Sequence, residues 1–198
     1  GFVGGGLGGI VIQAYGHLAH AAAVSIGAAL IACWALPRLY ADDRPSAVRP
    51  RIGLPKTPIV YLVGSMALFA MVAEGAVLDW AAVYLNKELG ADLAVASFAF
   101  AGFAGTMAVG RFLGDGVRNR LGAVPTMRLC ALVAALGMTV AGAAASDWMA
   151  IAAFAFCGIG IANIVPIAFA AAGNQPSLSP GAGISVATTM GYAGILMV

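Results

Sequence analysis

The chain has 198 residues, of which 62% are hydrophobic and only 9% charged, with a formal net charge of +2. An ordinary soluble domain carries about 25% charged residues, so this chain cannot cover a water-facing surface, and its mean hydropathy of +0.96 makes lipid its predicted solvent. The weak basic balance gives no argument for nucleic acid, because Lys and Arg cluster in polar islands between apolar runs of about 17 to 25 residues, the length that crosses a bilayer. The expected fold class is an all-α membrane protein, a bundle of about six to seven transmembrane helices.

In chain order, the first apolar segment, Gly1 to Ile12, is too short to span and reads as half a helix. A polar turn from Gln13 to His17 leads to a second segment, Leu18 to Leu36. Pro37 to Pro58 is rich in Pro and charge and reads as a linker rather than regular structure. Further spans are predicted over Ile59 to Leu85, Leu93 to Leu113, Ala123 to Ala145, Trp148 to Ala172, and Pro180 to the end. Apart from the linker, the connections are short, so neighbouring spans should run antiparallel. With no starting methionine, no polar tail and no cleavable leader pattern, the chain reads as a fragment of a longer protein.

The positive-inside rule gives an orientation. If the helices alternate, Arg38, Arg44, Arg49, Arg51, Lys56, Arg111, Arg118, Arg120 and Arg128 share one side, and Lys87 lies on the other. The first side, with the linker, is therefore expected to be cytoplasmic.

GRFLGDGVRNRLG, Gly110 to Gly122, follows the fourth span. By itself it reads as a basic inside loop: its glycines permit a tight turn, Asp115 can accept hydrogen bonds from a helix N-terminus, and Arg118 and Arg120 stay at the surface. Its residues Gly110, Arg111, Gly114, Asp115, Arg118 and Arg120 resemble the cytoplasmic signature loop of the major facilitator superfamily, with Gly116 standing where that pattern usually has a basic residue. The resemblance implies a twelve-helix transporter of which this chain is the middle and most of the second half. Residues 1–36 would then end the N-terminal bundle, 37–58 would be the cytoplasmic linker, and 59–198 a truncated C-terminal bundle. EGAVLDWAAVYL, Glu74 to Leu85, resembles bacterial permeases broadly similar to sugar and drug transporters.

Two acids lie in the third span. At a rise of about 1.5 Å per residue, Glu74 falls some 22 Å from Ile59 within a core of roughly 30 Å, and Asp79 falls near the outer edge. Five residues at about 100° each also turn Asp79 some 140° away from Glu74. A charge at the bilayer centre costs about 2.5 to 3.5 kcal/mol on insertion scales, so Glu74 must face protein, water or a partner. It either cements helix contacts or handles substrate or protons. Asp79, beside Trp80 and Tyr84, suits an interfacial acid at the outer gate, with a substrate contact as the other reading.

The resemblance further implies that Glu74 and Asn163, within CGIGIANIVP, face a central cavity. Asn163 is about 22 Å from the outer side and below Glu74, so direct contact between the two is not expected. Gly158, Gly160 and Pro166 read as close-packing residues, with helix bending as the alternative. Ser185, Thr188, Thr189 and Tyr192 fit either a cavity edge or interhelical hydrogen bonding.

Other patterns carry less. Gly4, Gly6 and Gly9 formally match GxGxxG, but no strand and helix alternate around them, so helix packing is the better reading. His17 and His20 read as an interfacial pair with no third metal ligand, and Cys33, Cys130 and Cys157 as apolar core residues. No metal, cofactor or enzymatic constellation is expected. The expected function is alternating-access secondary transport of a small sugar-like or drug-like solute, with the lipid bilayer as solvent and a proton as candidate coupling ion. The alternative is a non-transporting receptor or structural membrane subunit on the same helices.

Overall fold

The computed structural model describes residues 2–38 and 55–198, and the chain divides into two units, Gly1–Gly53 and Leu54–Val198. In the first unit, helix α1 (Phe2–Ala35) is two helical runs joined at Gly16, whose φ of 81° and ψ of 171° fall inside the polar turn expected between the first two segments. A side chain at that φ would strain the backbone, so glycine fits the joint. Gly4, Gly6 and Gly9 lie within the helix, which leaves no strand for a dinucleotide site. A 3-10 turn, Leu36–Arg38, follows. Residues 39–54, with most of the expected linker and Arg44, Arg49 and Arg51, lie outside the described residues.

The second unit is a helical bundle of α2 (Pro58–Lys87), α3 (Leu93–Leu121), α4 (Ala123–Gly142), α5 (Asp147–Ile161), α6 (Ile164–Gly173) and α7 (Pro180–Leu196). Local chemistry marks the starts. Pro58 and Pro180 occupy first-turn positions, where a missing N–H is harmless. The Ser146 hydroxyl accepts from the Met149 N–H at 3.3 Å and opens α5. Among the described residues five helical stretches are long and apolar enough to cross a membrane: Tyr15–Ala35, Pro58–Lys87, Ala94–Leu121, Ala123–Gly142 and Asp147–Gly173.

The structure differs from the sequence expectation in two places. Gly110–Leu121 is not a loop: α3 continues through it, and the chain turns only at Gly122, at φ 86°. No proline interrupts the stretch, and Gly110 and Gly114 serve close packing, as described below. The sixth span is the reverse case, since it is broken into α5 and α6 at Ala162 and Asn163. Pro166 explains the break. It has no N–H for the Ala162 carbonyl, and its ring crowds that same carbonyl four residues back.

Packing depends on small residues, as expected where lipid supplies no hydrophobic drive between helices. α2 packs chiefly on α7, and α5 on both α3 and α4. Across α4 and α5 two glycines reciprocate: Gly160 faces the Cys130 carbonyl and Ala134, and Gly137 faces Cys157, leaving no space for a Cβ. Gly158 has the same role against Phe103 and Thr106, so these glycines are packing residues and the bend belongs to Pro166. Phe103, Leu85 and Cys157 are fully buried among alanines. The Tyr84 hydroxyl donates to the Ala141 carbonyl at 3.0 Å, and Thr106 reaches the Ala155 carbonyl at 2.6 Å, so polar groups inside the bundle find backbone partners. Large apolar side chains such as Phe69 and Phe112 point outward, as suits a lipid-facing surface.

Candidate functional site

Glu74 lies close to the midpoint of α2, and its side chain is 14% exposed. Its partner is Arg111 on α3, with Nη2 3.7 Å from Oε1 and a side chain 48% exposed. The sequence left protein, water or a partner open for Glu74 and placed Arg111 in the cytoplasmic signature loop. A signal was present: Arg111 falls inside the apolar run Leu93 to Leu113, so two opposite charges occupy adjacent predicted spans, where such charges normally pair.

Helix geometry explains how the pair meets. Side chains on a helix lean toward its N-terminus, and the Arg111 guanidinium accordingly lies back over Met107, 3.6 Å from its Sδ. α3 begins at Leu93, next to the end of α2. Arg111 therefore reaches away from the end of α3 and toward the middle of α2.

Asn163 sits at the break between α5 and α6, at φ −111° and ψ −6°. Its Nδ2 donates to the Gly110 carbonyl at 3.0 Å, and its amide occupies the space beside Gly114, where a Cβ would collide with Oδ1. Gly110 is equally tight, since a Cβ there would lie 2.8 Å from that of Ala162. Glu74 and Asn163 are thus held by consecutive residues of α3, Arg111 and Gly110. The Arg111 side chain spans the difference in depth.

The other expected site residues are not gathered here. Asp79 is exposed on α2, two turns before its end, and makes no ion pair among the described residues; the neighbouring Trp80 indole donates to the Val198 carbonyl at 3.3 Å. Asp115 is exposed and, among the described residues, makes no hydrogen bond to a helix N-terminus. Arg118 and Arg120 lie in the last turn of α3, where cations suit the helix dipole. Thr188 bonds back to the Ile184 carbonyl of its own helix at 2.9 Å, so its hydroxyl does not bridge helices. Cys130 and Cys157 are buried as expected, whereas Cys33 is exposed on α1. No group of three potential metal ligands occurs among the described residues.

An open-sided cavity of about 770 Å³ lies against α2, α4 and the α5–α6 break, lined by apolar side chains with Arg128 as the one charged member. It adjoins the polar cluster: Ala73 and Ile164, both in its wall, are the chain neighbours of Glu74 and Asn163.

A multi-pass bundle of apolar helices joined by glycine contacts, with a carboxylate near the middle of α2 paired to a half-exposed arginine on α3, defines a polytopic membrane protein. The sequence profile of the Major Facilitator Superfamily matches residues 1–198, and the chain belongs to that family of membrane transporters. It is 38% identical over 137 residues to an uncharacterized MFS-type transporter of Yersinia pestis, covering 69% of this chain and 36% of that protein. It is 29% identical to Membrane protein MosC of Rhizobium meliloti (91% of this chain, 44% of that protein) and 27% identical to the uncharacterized transporter y4wD of Sinorhizobium fredii (81% and 41%). The chain thus spans less than half the length of these relatives. No solved structure matches it.

Proposed function

We propose that this chain contributes the middle and second-bundle helices of a secondary active transporter of small sugar-like or drug-like solutes, in the bacterial inner membrane, with Glu74 as the proton-handling group. The observation that carries the reading is the Glu74–Arg111 pair across α2 and α3. A carboxylate near mid-helix, mostly shielded and matched to a half-exposed guanidinium, has two electrostatically acceptable conditions: ionised beside Arg111, or neutral away from it. Proton uptake removes the attraction between Glu74 and Arg111, and proton loss restores it. The switch lies inside the second bundle, and its proposed part in transport is to link proton uptake to the rocking of the two bundles about a midplane site.

Orientation follows from charge. Arg118, Arg120 and Arg128 gather where α3 ends and α4 begins, and Lys87 lies at the opposite end of α2, so the α3–α4 turn faces the cytoplasm. Support for transport over catalysis comes from the family and from relatives named transporters.

The test uses the full-length protein in proteoliposomes, with a panel of radiolabelled sugars and fluorescent amphipathic dyes and an imposed pH gradient. At least one probe should accumulate in a gradient-dependent way, and Glu74→Gln should abolish that dependence while still permitting downhill flux. Undiminished coupling in Glu74→Gln removes Glu74 from the mechanism, and specific binding without flux favours a receptor.

A further inference from the structure

The contact between Asn163 and α3 has no role in the charge chemistry, yet it joins the one broken helix of the bundle to the residue before Arg111. We infer that Asn163 is a positioning residue: from the α5–α6 break it fixes the register of α3 at Gly110 and Gly114, and thereby sets Arg111 against Glu74. The inference rests on the ion pair itself and not on transport.

Three observations converge on it. The Asn163 amide donates to a carbonyl, Gly110, that belongs to another helix. In an unbroken α3 that carbonyl already accepts from the N–H four residues on, Gly114, so the side chain adds a second, interhelical bond to its remaining lone pair. Glycine at position 114 is then required by the same amide, because any larger residue would push Asn163 off the carbonyl. Finally, the pair being positioned has little geometric tolerance. At 3.7 Å the Arg111–Glu74 contact is near the outer limit for an ion pair, and among the described residues the further partner of Arg111 is the Met107 sulfur. A small slide of α3 along α2 would separate them.

The break gives this contact a second consequence. α6 starts one residue after Asn163 and carries Ile164, Ile167 and Ala171 into the wall of the apolar cavity. Pro166 interrupts the helix at this point, so Asn163 ties the start of that wall to α3.

Thermal denaturation of the purified full-length protein tests the inference without needing a substrate. Glu74→Gln, Arg111→Gln and the double variant form a cycle whose non-additivity in Tm reports the pair. The same cycle is repeated in the backgrounds Asn163→Ala, Asn163→Leu and Gly114→Ala. In the parent background the double variant should lose less than the sum of the single losses. In each altered background that non-additivity should disappear, so that the losses add. Asn163→Leu keeps the branched shape and removes the donor without adding a charge beside Arg111, and Gly114→Ala keeps the donor and removes its space, so either decides the matter if Asn163→Ala does not fold. Equal non-additivity with and without the Asn163 contact means that Asn163 merely stabilises the bundle, and overturns the inference. Absence of non-additivity in the parent cycle overturns it too, by removing the pair. Loss of proton coupling in liposomes is a separate measurement and can fail independently.

Discussion

The α4–α5 seam and the junction of α2 and α3 with the α5–α6 break use the same device for different ends. Both bring helices together through glycine: Gly137 and Gly160 in the first, Gly110 and Gly114 in the second. The first seam closes on Cys130, Ala134 and Cys157 and contains no charge. The second closes on the Asn163 amide and places a cation and a carboxylate at its edge. Close approach thus provides rigidity where the neighbours are apolar, and a register for charges where one neighbour is polar.

Substitutions separate these roles. The largest effect is expected in the apolar seam. Gly160→Leu forces a branched side chain into the Cys130 carbonyl and the Ala134 backbone, which cannot yield as a side-chain tip can. Overpacking of this kind costs about 1 to 3 kcal/mol or more, and folded full-length protein should be largely lost by size-exclusion chromatography in detergent. Recovery of normal amounts would show that α4 and α5 can separate freely, which breaks the comparison.

Glu74→Leu should have an intermediate effect. It leaves Arg111 without its counter-ion, but Arg111 is half-exposed and can turn to water or headgroups. A cost of about 1 kcal/mol or less is expected, read as a modest fall in Tm with normal yield. A loss as large as that of Gly160→Leu would mean that the charge pair holds the bundle together rather than being poised to open. The smallest effect belongs to Asp79→Asn, since Asp79 is exposed and makes no ion pair among the described residues; stability should stay within about 0.5 kcal/mol. A larger change would assign Asp79 a partner outside the described residues.

Much of the architecture was legible before the fold. The boundaries of α2, α4 and α7 lie within a few residues of the hydropathy reading, because bilayer thickness fixes span length and composition reports it directly. Gly110–Leu121 was misread for a physical reason. A cluster of Gly, Asp and Arg has the composition of a turn, and only the close approach of Ala162 and Asn163 makes glycine useful inside a helix there. The break at Ala162 was half legible: Pro166 announced an interruption, but apolarity on both sides of it favoured one continuous span.

By itself the sequence determined the solvent, the apolar helices, the mid-helix position of Glu74 and its angular separation from Asp79, since each follows from local sums of hydropathy and from the rise and twist of one helix. Only the tertiary structure decided that Glu74 belongs with Arg111 and Asn163 with Gly110. Partners between helices depend on how closely and in what register the helices meet. That is set by glycines scattered over several spans acting together, which no single stretch of sequence displays.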